Sequence, residues 1–129
     1  MPWEFREDAP IYTQLIAQIQ QRIVGGQLSA GARLPSVRDL AAEAGVNPNT
    51  MQRALTELER EGLVHSQRTA GRFVTEDAAR IRQLREDLAR QQVKDFLEGM
   101  FQLGFRRAEI LALIEQEPDT TTEGEKNTP

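Results

Sequence analysis

Apolar residues recur at spacings of three, four and seven near the start of the chain, at Ile11, Leu15, Ile16, Ile19, Ile23 and Val24, which is the stripe of one buried helix face. Pro10 suits the first turn of that helix, Asp8 is placed to cap it, and Gly25-Gly26 ends it. Trp3 and Phe5, just upstream, read as cover for an apolar edge of the domain. Two shorter helices follow. Ser36 stands at an N-cap position with Asp39 three residues on, a carboxylate variant of the capping box, so a helix is predicted from about Val37. Gly45 supplies the positive φ that closes it, Asn47 caps the next helix, and Pro48 occupies N1, where a missing N–H costs nothing. Val46 and Met51 are spaced as a hydrophobic staple. Two capped helices joined by a glycine-containing turn predict a helix-turn-helix.

The second of these helices divides cleanly by face. Met51, Ala54, Leu55 and Leu58 form the core stripe, Asn49, Arg53, Thr56 and Arg60 point the other way, and Thr50 and Gln52 flank them. No acid lies between Val46 and Thr56. Amides, hydroxyls and an arginine at the start of a helix are the groups that read base edges, Asn or Gln taking adenine and Arg taking guanine. The unpaired N–H groups of the first turn also suit a phosphate. The other reading of the same residues is a capped surface helix with a polar outer face.

Gly62 can terminate this helix, after which Leu63–Ser66 and Arg72–Thr75 read as two short strands around the tip Gln67-Arg68-Thr69-Ala70-Gly71. A hairpin directly after such a helix is a wing. Arg68 and Arg72 have no acidic neighbour in sequence from Leu63 to Thr75 and suit a phosphate backbone or a minor groove, while Arg72 pairing with Glu76 or Asp77 is the alternative. His65, the single histidine, reads as a polar strand residue or a phosphate contact, and no metal role is expected.

From Asp77 a further helical pattern carries Ile81, Leu84, Leu88, Val93, Phe96, Leu97, Met100 and Phe101 until Gly104 breaks it. Arg107 to Gln116 then gives a second helix with Ile110, Leu111, Leu113 and Ile114 on more than one side. Two helices of this size bury too little surface alone, so they need a partner. A second copy of the same pair forms a dimerisation unit with Leu84, Leu88, Phe96, Met100, Phe101, Ile110 and Ile114 as its contacts; the alternative has both helices folding back on the winged domain as extra core. Pro118 to Pro129 hold Thr, Glu and Pro without apolar content, the composition of a disordered tail.

Composition narrows the function. At 129 residues and 39% hydrophobic, the chain supports one small core plus an accessory segment and no large second domain. Its net charge of −4 argues against a globally basic DNA coat, so any DNA affinity comes from a local patch. Between residues 33 and 72 six arginines (33, 38, 53, 60, 68, 72) face five acids (39, 43, 57, 59, 61), a net of +1 that predicts salt-sensitive, dimeric binding. There is no cysteine, no glycine-rich phosphate loop and one histidine, which together leave no catalytic residues to assign. Neither an apolar run near twenty residues nor a signal peptide is present, so a soluble cytoplasmic protein without a membrane partner is expected.

Residues 10 to 76 resemble the winged helix-turn-helix domain of the GntR family of bacterial transcription regulators. The resemblance runs through Pro10-Ile11-Tyr12, Gly26-Gln27-Leu28, Gly31, Leu34-Pro35-Ser36, Arg38, Leu40-Ala41, Gly45-Val46, Thr50, Ala54-Leu55, Leu58-Glu59, Glu61-Gly62-Leu63 and Gly71-Arg72-Phe73-Val74. Asn47-Pro48-Asn49-Thr50 and the short length are similar to its YtrA subfamily. Many members carry Ser-Arg-Thr-Thr-Val-Arg at this point; here Pro48 and Gln52 replace the two arginines and Arg53 stands one position later, so arginine contacts at the former positions are not carried over. Leu55 replaces the subfamily's usual tyrosine and keeps the site apolar. The resemblance implies that Arg38, the start of the second helix and the wing touch operator DNA. It implies equally a helical dimerisation unit and control of a transporter operon.

The fold class expected is therefore mainly α with a small β-wing. It comprises a winged helix-turn-helix domain over 1–76, a two-helix dimerisation segment over 77–116 and a disordered tail over 117–129. The DNA contacts assigned are Arg38, Asn47, Asn49, Thr50, Gln52, Arg53, Arg68 and Arg72. A two-fold dimer favours a pseudo-palindromic, inverted-repeat operator in double-stranded DNA, and occupancy of a promoter makes repression the default outcome. No cofactor is called for, and a small-molecule effector would have to use the helix interface, near Arg106, Arg107 and Glu109. The alternative is a winged-helix protein-interaction module, whose mark would be acids or large apolar residues where Asn47, Asn49 and Thr50 stand.

Overall fold

The first helix, α1 (Ile11–Val24), begins without a side-chain cap: Pro10 holds the N-cap position, and Asp8 pairs instead with Arg6 at 2.9 Å. In a computed structural model that describes residues 2–119, the apolar stripe is narrower than the sequence suggests. Leu15, Ile19 and Ile23 are buried, Ile16 and Val24 are half-buried, and Ile11 is exposed. The segment before α1 is held by glutamine side chains. Gln14 accepts from the Arg6 N–H (2.8 Å) and donates to the Arg6 and Ala9 carbonyls, and Gln18 donates to the Glu4 carbonyl at 2.6 Å. Trp3 lies under the Arg22 guanidinium, 3.8 Å from ring centre to Cζ, and its indole N–H donates to Glu43.

The caps read from the sequence for the next two helices are in place. Ser36 accepts from the Asp39 N–H (3.1 Å) at the start of α2 (Val37–Ala44), and Gly45 closes that helix at φ 76°. The Val46 N–H returns to the Ala41 carbonyl, so the turn satisfies carbonyls that the helix end would leave open. Asn47 then caps α3 (Pro48–Arg60) by accepting from the Asn49 N–H at 2.7 Å. Leu40, Ala41 and Ala44 of α2 and Met51, Ala54, Leu55 and Leu58 of α3 join the α1 stripe in one core, closed below by Leu34, Leu63, Val64 and Val74. Each Leu, Ile or Met buried here contributes roughly 1.5–3 kcal/mol relative to exposure.

The wing is the antiparallel pair β1 (Val64–Gln67) and β2 (Gly71–Val74), in register from Val64 opposite Val74 to Gln67 opposite Gly71. Its strands sit one residue away from the predicted ones, although Thr75 still donates to the Leu63 carbonyl at 2.9 Å. A third chain lies along its free edge. Leu34 donates to Arg72, Val74 donates to Ala32, and Arg33 bridges Phe73, which ties the wing to the segment entering α2. One isolated bridge has no strand periodicity, which is why the sequence pattern does not announce it.

Asp77 caps the long helix α4 (Ala78–Gln102), accepting from the N–H groups of Ala79 and Arg80. Contacts divide the chain between Asp87 and Leu88, inside this helix. Its first turns belong with the winged unit, Arg80 donating to the Glu61 carbonyl at 3.0 Å and Leu84 buried. In the second unit Gly104, at φ 94°, ends α4, and the Phe105 N–H returns to the Met100 carbonyl. Helix α5 (Arg107–Gln116) follows, Glu109 accepting from the Arg106 N–H. Ile110 is the one large side chain of α5 that is buried. Val93, Phe96, Phe101, Leu103, Phe105, Leu111, Leu113 and Ile114 stay exposed, Leu103 by 72%. Leu84 and Ile110, expected as dimer contacts, are thus covered within the chain and unavailable to a partner. Leu88, Phe96, Met100, Phe101 and Ile114 keep open surface. Of the tail expected to be disordered, residues 120–129 lie outside the described residues. Among the described residues, no helix is long and apolar enough to cross a membrane.

Candidate nucleic-acid interface

The geometry of α3 follows from its cap. Asn47 accepts the Asn49 N–H with its side-chain oxygen, so it fixes where the helix starts and keeps its two amide donors and one further lone pair for other partners. The next turns present Asn49, Gln52 and Arg53 exposed, with Thr50 half-buried, while Met51 and Ala54 anchor the opposite face at zero exposure. Gln52 donates to Thr56 at 3.3 Å along the helix. Arg53 lies over the ring of Tyr12 on α1, its Cζ 3.6 Å from the ring centre. Further along, Arg60 is neutralised by Glu57, and each shifts the other: the guanidinium holds the Glu57 carboxyl below the ordinary range, and the carboxylate raises Arg60. The polar face is therefore positive at its N-terminal half and balanced at its C-terminal half.

Arg38 is exposed on α2, and Arg68 is exposed at the wing tip in the three-residue connection closed by the Ala70-to-Gln67 turn. Among the described residues no carboxylate pairs with Arg38, Arg53 or Arg68. Arg72 differs. Its Nε meets the Glu59 carboxylate of α3 at 3.3 Å, where neither Glu76 nor Asp77 was its partner, and Ser66 of β1 donates to the same carboxylate. One acid on α3 thus holds both wing strands. The sequence carries no signal for this contact, because the three residues lie on three different elements and no periodicity within one element relates them. His65 stacks across the hairpin on Phe73, ring centres 5.9 Å apart.

Between the wing and the start of α2 an open cleft of ≈ 570 Å³ is lined by Arg33, Leu34, Pro35, Ser36, Val37, Asp39, Gly71 and Arg72. Arg33, absent from the predicted contacts, is exposed there with its guanidinium over Gly71. A side chain at 71 would crowd it at 3.2 Å, and φ of 102° strains any other residue at that position. No group of His, Cys, Asp or Glu able to hold a metal exists among the described residues.

Residues 11–74 match the bacterial regulatory proteins of the gntR family. The chain is 40% identical over 121 residues to the HTH-type transcriptional regulator YhcF of Bacillus subtilis, an alignment covering 94% of this chain and 97% of that protein. It is 42% identical over 73 residues to the HTH-type transcriptional repressor YtrA of the same organism, covering 57% of this chain and 56% of the repressor. Its fold is similar to that of a GntR family transcriptional regulator from Listeria monocytogenes, with a TM-score of 0.81, 39% identity, and coverage of 88% of this chain and all of that one.

Proposed function

Because the chain belongs to the GntR family of DNA-binding transcription regulators, we propose that it works as a repressor, seating α3 in the major groove of an inverted-repeat operator as a homodimer. The observation that carries this reading is the acid-free, exposed start of α3, with Asn49, Gln52 and Arg53 beside a wing whose tip arginine is unpaired by any described acid. Asn49 and Gln52 supply the donor and acceptor pair that adenine edges match, and Arg53 the fork that matches guanine. Thr50 and the Asn47 amide lie close enough to the helix start to meet the flanking phosphates. Arg38, Arg68 and Arg72 contact the backbone on either side, fixing register without reading sequence. Repression is supported by the likeness to YtrA, which carries that description. The dimer is supported by the exposed apolar side chains of α4 and α5, which a second copy would cover. Action on operator DNA supports a cytoplasmic location.

The test is fluorescence anisotropy of the full chain against a duplex from upstream of its own gene, beside a scrambled duplex, across a salt series. A preference of about a thousandfold at physiological salt is expected for a specific regulator. Equal, steeply salt-dependent binding to both, repeated with duplexes selected from a random library, would instead support a protein-interaction module.

A further inference from the structure

We propose that Tyr12 is a positioning residue for Arg53, holding its guanidinium in the attitude that base readout requires; the inference rests on the DNA-reading role given to α3. The phenol ring belongs to the first turn of α1 and the arginine to the second turn of α3, so the contact crosses two elements whose packing is fixed by the core. Cζ stands over the ring, 3.6 Å from its centre, a separation so short that the flat guanidinium must meet the ring by its face, because an edge-on approach would drive its nitrogens into the ring. That face is the one an arginine does not use for recognition. Its N–H groups lie in the guanidinium plane, and a bidentate pair to O6 and N7 of guanine forms at that edge, so one side chain can stack and read together.

The choice of partner matters as much as the geometry. Arg60 is held by a carboxylate on both its Nε and one Nη, and Arg72 on its Nε alone, so each spends charge and at least one in-plane donor within the chain. A ring orders Arg53 while leaving both charge and donors available. An unrestrained arginine loses rotamer freedom when it meets a base, and a platform that removes that freedom beforehand raises affinity only where the guanidinium finds its acceptors. The expected signature is therefore a change in discrimination at one base pair per half-site.

The experiment uses the full chain and the duplex it selects from a randomised library, followed by every single-base-pair variant of that duplex. Arg53→Ala flattens the preference at one position in each half-site. Tyr12→Leu reduces discrimination at that same position by about fivefold, whereas Tyr12→Phe, which keeps the ring, stays within about twofold of the parent. Adding Tyr12→Leu to Arg53→Ala changes that position no further. A Tyr12→Leu chain that weakens every duplex by one common factor, or that discriminates as the parent does, overturns the proposal and leaves the reading of α3 standing. If Arg53→Ala alters no position, both the positioning role and the assignment of Arg53 fall, and if the library yields no preferred sequence, the regulator reading fails. A second readout needs no apolar variant: the Arg53 Nε–H resonance is expected upfield, within the ring current of Tyr12, in the free chain and in the selected complex. Its return to an ordinary position on DNA binding overturns the proposal.

Discussion

The winged unit and the unit after Asp87 place the same kind of side chain on opposite sides. In the first, Leu15, Ile19, Met51, Leu55 and Leu58 are sealed between three helices and the hairpin, and the exposed faces of α2 and α3 are polar. In the second, among the described residues, Ile110 alone is buried; Phe101 and Leu111 meet water, and Phe96, Leu113 and Ile114 line an open groove of ≈ 590 Å³. A helix pair this small has no interior large enough for its apolar residues. The difference teaches that one unit is finished by its own chain, while the other leaves apolar side chains uncovered.

The largest effect should come from breaking the finished unit. Leu58→Ala, at zero exposure, is expected to cost about 2–5 kcal/mol in urea unfolding, since the helices around it can only partly collapse. Phe96→Glu should leave that stability unchanged and give monomers in sedimentation, with operator affinity falling by about a hundredfold as the two half-sites uncouple. Arg38→Ala should lower operator affinity by about 1–3 kcal/mol without altering the thermal midpoint, a separation that places its role outside the core.

Smaller changes sharpen the boundary between framework and surface. Glu59→Gln weakens the tie to Arg72 and Ser66 and should lower stability by about 1 kcal/mol or less, given that the pair keeps partial solvent contact, while speeding amide exchange in β1 and β2. The smallest effect belongs to Glu57, whose carboxyl is held below the ordinary carboxylate range by Arg60. A depressed folded-state value stabilises above the unfolded one, so the slight difference in thermal midpoint between the parent and Glu57→Gln should be present at neutral pH and be lost as pH falls from the ordinary carboxylate range through the lowered folded-state value. Its persistence in acid would show that the side chain acts through packing.

Local signals were legible in the sequence, and long-range ones were not. Ser36, Gly45, Asn47-Pro48, Gly62 and Gly104 each act on backbone groups within a few residues, so their identities alone place the ends of α2, α3 and α4. The polar face of α3 follows from helical period. By contrast the Tyr12 ring under Arg53, the Glu59 carboxylate between two strands and the third edge from Ala32 to Leu34 join residues 7 to 42 positions apart. Such pairs arise from packing. The same holds for Leu84, whose spacing fits a partner-facing stripe although the winged unit claims its side chain first.

The glutamines of α1 have a consequence for how freely the chain ahead of them can change. A carboxamide carries one acceptor and a pair of donors, as a peptide group does its own pair, and Gln14 and Gln18 use theirs on the main chain at positions 4, 6 and 9. The grip reads backbone, and side chains at those positions pass through it unread. Substitutions at Glu4, Arg6 and Ala9 should therefore be tolerated where Gln14→Glu is not, since a carboxylate would lose both donors and face two carbonyl oxygens. In this stretch the sequence that must be kept lies on the helix, and the sequence left free to drift lies on the irregular segment it holds.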